Sequence, residues 1–195
     1  MYSTDLAISF SATLPDWVLD EIAVDPVEMP AVEDRMRLVN RLADRNHREG
    51  SGGPFAALVA DPATGRVVAV GVNLVLAHNL SSLHAEVVAL TLAQAKLGTW
   101  DLGGHKLELV VNWRPCAMCY GAAMWSGVTG LVTAGEGPLL EELTGFDEGP
   151  MRDDWKEQFV QRGIDVRTGV LQDEAVAVFR AYGERTDVTV YNGRR

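Results

Sequence analysis

Cysteine is scarce in this chain: its 195 residues contain two, Cys116 and Cys119. That count excludes a disulfide framework and fits a reducing, cytoplasmic setting. Basic residues are also in short supply, with 17 Lys and Arg against 27 Asp and Glu, a net charge of −10 and a pI near 4.8. An acidic surface repels phosphate backbones, which argues against RNA or DNA as a partner. The basic residues that do cluster are Arg35/Arg37, Arg41/Arg45/Arg48 and the terminal Arg194-Arg195; the first two sets alternate with Glu33, Asp34, Asp44 and Glu49 and read as a solvated helix face. No apolar run approaches the ~18 residues of a membrane span. The first residues lack the basic and apolar regions of a secretory signal, so the expectation is a cytoplasmic protein without a membrane anchor. Repeats and low-complexity tracts are missing too. What remains is 47% hydrophobic residues, ample for one packed core in a single domain.

Strand and helix patterns alternate along the chain. Residues 1–30 form a proline-punctuated leader with one short amphipathic helix near 16–23. A stronger helix follows at 32–48, with Met36, Val39 and Leu42 on its inward face. Two β-rich runs, 55–60 and 66–72, flank Asp61-Pro62-Ala63-Thr64-Gly65, whose composition predicts a hairpin turn. A helix is expected from His84 to about Leu97, stopped by Gly98. Then come a strand at 107–112, a helix to about Ser126 and a strand at 128–134. The pattern closes with a helix at 151–162, a strand at 164–169 and a helix at 173–183. Such alternation predicts an α/β fold with helices packed on a sheet.

Two short motifs carry the chemistry: His84-Ala85-Glu86 and Pro115-Cys116-Ala117-Met118-Cys119. Cys116 and Cys119 lie three apart, so on a helix both project from one face and can grip one ion. Pro115 suits the first position of that helix, and the positive helix N-terminus favours the metal-binding thiolate. His84 adds a third ligand at the start of another helix. Three protein ligands leave one position open, the mark of catalytic zinc, and zinc lowers the pKa of a bound water toward ~7. On the residues alone, a redox pair or a closed structural site completed by His47, His78 or His105 remains open.

The pairing of H-x-E with P-C-x-x-C resembles the cytidine-deaminase-like superfamily of zinc deaminases. The resemblance covers about residues 32–183. It implies a three-layer sandwich with a mixed five-stranded sheet between helices, Zn2+ held by His84, Cys116 and Cys119, and Glu86 as general acid/base. Residues 1–30 would then be an N-terminal extension and 31–195 the deaminase domain with its C-terminal tail.

Gly52-Gly53-Pro54-Phe55 is similar to the guanine deaminase branch rather than to the tRNA adenosine deaminases. Within that branch Phe55, Asn73, Trp125 and Asp147 match substrate-binding positions. Each also has a plainer reading: strand core for Phe55, a turn cap for Asn73, packing for Trp125 and a solvated carboxylate for Asp147. The implied reaction converts guanine to xanthine and ammonia. Guanosine, cytosine or cytidine, a pterin, an aminotriazine or a specialised-metabolite base are related alternatives, and a tRNA adenosine is a remoter one.

Asn112-Trp113-Arg114 departs from the branch, which has Glu before Pro-Cys, and so does Leu80-Ser81-Ser82-Leu83 before His84. The branch also passes its C-terminal segment to a neighbouring subunit. Val188, Val190 and Tyr191 are therefore expected to dock in a homodimer, with Tyr191 near the substrate.

Overall fold

Along the first strand, Ala56, Leu58 and Ala60 enter one apolar cluster while Ala57 and Val59 enter a second. That period-two split requires a sheet covered on both faces. The computed structural model describes residues 6–26 and 28–192. Its sheet comprises β1 (Ala56–Ala60), β2 (Val67–Val72), β3 (Glu108–Val111), β4 (Gly130–Thr133) and β5 (Asp165–Arg167), in the order β2-β1-β3-β4-β5. β1 runs antiparallel to β2 and β3, and β4 lies parallel to β3 and β5. The expected mixed five-stranded sheet between helices is what forms.

One face carries α1 (Asp16–Ile22), α2 (Val32–Glu49) and α8 (Gln172–Gly183), contributing Val18, Met36, Leu42 and Phe179 to the core. The other carries α4 (Ala85–Leu97), α5 (Ala117–Ser126) and α7 (Trp155–Val160), contributing Ala89, Ala123 and Phe159. Three short elements escape the periodicity argument: α3 (Val75–His78), a 3₁₀ turn at Gly103–His105 and α6 (Leu139–Thr144). None is long enough to display a helical repeat. α7 is shorter than expected because Asp154, at its N-terminus, is held by Arg152 and by Gln158, both at 2.7–2.9 Å, in a turn.

Three of the five arginines of α2 do not form a solvated face, whereas Arg37 and Arg48 are exposed as expected. Arg35 is 3% exposed and pairs with Glu108 at the start of β3 at 2.7 Å, while donating to the carbonyls of Met29 and Pro30. Arg41 and Arg45 clasp α1 through Glu21 and Asp25. The alternating charges hid this because acid and base attract equally well across helices and along one. Described parts of the leader consequently lie on the body of the fold: Val18 and Met29 sit in the same apolar cluster as α2. No helix among the described residues is long and apolar enough to cross a membrane.

Candidate active site

Two helices start at the same place. α4 packs tightly on β2 because Gly71 has no Cβ; one there would come within 2.3 Å of the Ala85 carbonyl oxygen. This fixes His84 as the N-cap of α4, with extended backbone. α5 begins where β3 ends, and Cys116 is its N-cap. Pro115 therefore precedes the cap rather than occupying the first helical position, where its missing N–H would have been harmless. Ala117 holds that position, and its N–H donates to the Glu148 carbonyl at 2.9 Å.

The donor atoms of His84, Cys116 and Cys119 lie within 4.8 Å of one another, with Cys116 Sγ 3.5 Å from His84 Nδ1. One imidazole and two thiols at that spacing suit zinc, and no other His, Cys, Asp or Glu joins the cluster among the described residues. The remaining histidines serve elsewhere. His47 meets Arg185, His78 meets the Thr13 carbonyl, and His105 lies in the 3₁₀ turn. The closed structural site thus finds no fourth ligand here.

The electrostatics are those of a crowded anionic nest. A hydrogen bond from Cys119 holds the Cys116 thiol down to about 4, and that bond with burial pushes Cys119 up. Burial works to lower His84, but its hydrogen bond to Cys116 and the charges of Glu86 and Cys116 outweigh it and raise the imidazole. Glu86 is 6% exposed; burial first, then the Cys116 charge, lifts its carboxyl to about 7. A carboxyl so poised can both accept and donate a proton near neutrality.

A cavity of about 430 Å³ opens over these groups. Phe55, Phe146 and Tyr191 supply aromatic walls, and Ser81, Arg114, Asp147, Glu148 and Asn192 supply polar ones. Tyr191 reaches it within its own chain. Its hydroxyl accepts the Gly53 N–H at 3.0 Å, and its ring lies 4.9 Å from that of Phe146. Asn192 Nδ2 donates to the Gly145 carbonyl and its Oδ1 accepts from Asp147 N, both at 2.8 Å. The structure thus places the tail as far as Asn192 against its own domain.

Three sequence expectations change. Trp125 is 85% exposed and absent from the cavity wall. Six residues past Cys119 on a helix is about 120° off in direction, so the indole points out when the thiol points in. Asp147 lies on the rim and folds back to accept the Gly149 N–H at 2.8 Å. Its neighbour Glu148 is the carboxyl that enters the site, and burial, then Cys116 and Glu86, raises it well above the usual range against the pull of Arg114. Phe146 and Glu148 are buried with Asp147 exposed between them, an alternation the apolar Phe146 could have signalled.

Asn73 stays off the cavity wall, 1% exposed. Its Oδ1 accepts from Val75 N and its Nδ2 has no protein partner among the described residues. The departures before Pro-Cys resolve into two buried supports and one lining group. Asn112 bridges Pro54 and Ala56, Trp113 donates to the Gly137 carbonyl beneath Gly135, and Arg114 faces the cavity.

Residues 29–134 match the family described as the cytidine and deoxycytidylate deaminase zinc-binding region. The chain belongs to this deaminase family. Guanine deaminase from Nitrosomonas europaea superimposes with a TM-score of 0.84 at 40% identity, over 91% of this chain and 98% of that one. The protein NE0047 in complex with 2,6-diaminopurine gives 0.83 at 41% identity, over 92% and 95%. Guanine deaminase of Bacillus subtilis is 35% identical over 55% of this chain and 65% of its own length. The chain spans less than two thirds of the first curated relatives it matches, 17% and 65%. These similarities place it, as a zinc-family deaminase, in the guanine deaminase branch.

Proposed function

We propose that this protein is a zinc-dependent guanine deaminase, adding water at C2 of guanine and releasing ammonia to leave xanthine. The observation that carries the reading is the buried Glu86 carboxyl, set beside three convergent metal-ligating atoms at the wall of an aromatic-lined cavity. His84, Cys116 and Cys119 would hold the zinc, which when bound supplies the Lewis acidity that makes water nucleophilic near neutral pH. Glu86 accepts the first proton of the attacking water and delivers it to N3, where xanthine keeps it. It then passes the second proton to the departing amino group.

Phe55, Phe146 and Tyr191 sandwich the flat ring, while Asn73, buried behind the wall, supports the turn into α3 by accepting from Val75 N. Glu148 accepts from N1–H, while Asp147 shapes the loop that aims it. Tyr191 receives the Gly53 N–H on its oxygen, which leaves its proton for the ligand. A free base in the cytoplasm is the natural substrate, since the net charge of −10 works against tRNA. The outward Trp125 of α5, 85% exposed, supports assembly as a homodimer through that helix.

Ammonia release by the zinc-loaded protein across guanine, guanosine, cytosine, cytidine, adenine, adenosine, pterin and aminotriazines tests the reading. Guanine should give the highest kcat/KM; turnover of another member of the panel with none of guanine overturns it.

A further inference from the structure

Among the described residues, Arg114 is the one Lys or Arg on the cavity wall. Its backbone is pinned, with the N–H donating to the Gly135 carbonyl at 2.9 Å and Pro115 following. Gly135 is itself fixed by close approach, because a Cβ there would come within 2.2 Å of the Trp113 ring. Trp113 in turn is 1% exposed and edge-on to Phe179 at 5.3 Å. The guanidinium therefore rises from a rigid support rather than from a surface loop. Its Nε is buried and has no hydrogen-bond partner among the described residues. Glu148 feels its charge, yet no ion pair within 4.0 Å joins the two among the described residues.

A guanidinium offers donors only, and a buried donor without a partner is costly. The cavity consequently pairs an unmet donor, Arg114, with a carboxyl, Glu148, on neighbouring stretches of wall. The matching ligand edge is a lactam: a carbonyl oxygen beside an N–H. Guanine presents that edge at O6 and N1–H, adjoining the C2 atom at which water adds.

We infer that Arg114 is a specificity-determining residue that donates to the 6-oxo group of the purine and so selects 6-oxopurines over 6-aminopurines. The inference rests on the guanine reading and adds to it the group that reads position 6. An amino group at that position would turn two donors against each other, and a site built around a hydrogen bond rejects the analogue that cannot make it.

The test uses the zinc-loaded enzyme and its Arg114→Met and Arg114→Lys variants. Guanine kcat and KM are measured together with the competitive inhibition constant of 2,6-diaminopurine, whose 6-amino group replaces the oxo group. A charge-assisted hydrogen bond implies a rise of about ten- to a hundred-fold in guanine KM for Arg114→Met, with kcat changing less. The inhibition constant of 2,6-diaminopurine should stay within about twofold or improve, and Arg114→Lys should recover part of the guanine affinity. Equal weakening of both ligands, or unchanged guanine KM in both variants, overturns the role of Arg114 while leaving the guanine reading intact. No guanine turnover by the unmodified enzyme overturns the guanine reading and this inference with it.

Discussion

The two sides of the cavity are built differently. The metal side consists of His84, Glu86, Cys116 and Cys119, all within the caps or first turns of α4 and α5; α4 is anchored on the sheet and α5 packs against α4. The opposite side consists of the 145–149 loop and the residues around Tyr191, held by hydrogen bonds between distant parts of the chain such as Gly53 to Tyr191. Regular elements place the metal-side groups, and irregular segments form the opposite wall. On the proposed reading, proton transfer and substrate retention rest on separable parts of the structure, and mutations should divide them.

Replacing Glu86 with Gln attacks the metal side alone. The expected result is a fall in kcat of about 10²–10⁴, the usual worth of a positioned acid/base. Zinc content by atomic absorption should stay at the wild-type level, since Glu86 is not among the three ligating residues. A variant that kept most of its turnover would erase the distinction.

Tyr191→Ala attacks the other side. It removes the ring contact with Phe146 and the acceptor for Gly53 N–H. Guanine KM should rise about tenfold, consistent with about 1.4 kcal/mol of lost interaction, and kcat should change less. Steady-state kinetics of the two variants then show whether kcat and KM separate as the two walls do.

The smallest effect concerns the clasp behind the tail. Arg185 donates to the His47 carbonyl at 2.5 Å and meets His47 Nδ1 at 3.1 Å. Burial lowers the pKa of His47; Asp44 opposes that shift, and the charges of Arg185 and Arg48 reinforce it. With the folded pKa below the unfolded one, the unfolded chain binds more protons as pH falls through about 6.5. Stability should be full above that value and decline below it. Thermal melts from pH 7.5 to 5.5 would show this, and His47→Gln should flatten that part of the profile.

The same contrast explains what the sequence disclosed. His84, Glu86, Cys116 and Cys119 were legible because a metal site inside helix caps imposes fixed spacings on neighbouring residues. The alternation of strands and helices was legible because each of those elements buries one face with its own period. Glu148 and Arg114 were not, because a loop has no such period and the orientation of each side chain is set by partners far along the chain. Arg35 misled for a related reason. Its role depends on Glu108, 73 positions away, whereas the pattern around it displays only near neighbours. Trp125 misled because matching an aligned position ignores the direction in which its helix aims it.

The bond between Gly53 and Tyr191 spans 138 residues. The segment bearing the metal ligands precedes Tyr191 along the chain. Contacts of such long sequence separation also form late in folding. The wall that carries His84, Cys116 and Cys119 can thus be laid down before Tyr191 reaches it, so the two walls need not be completed together.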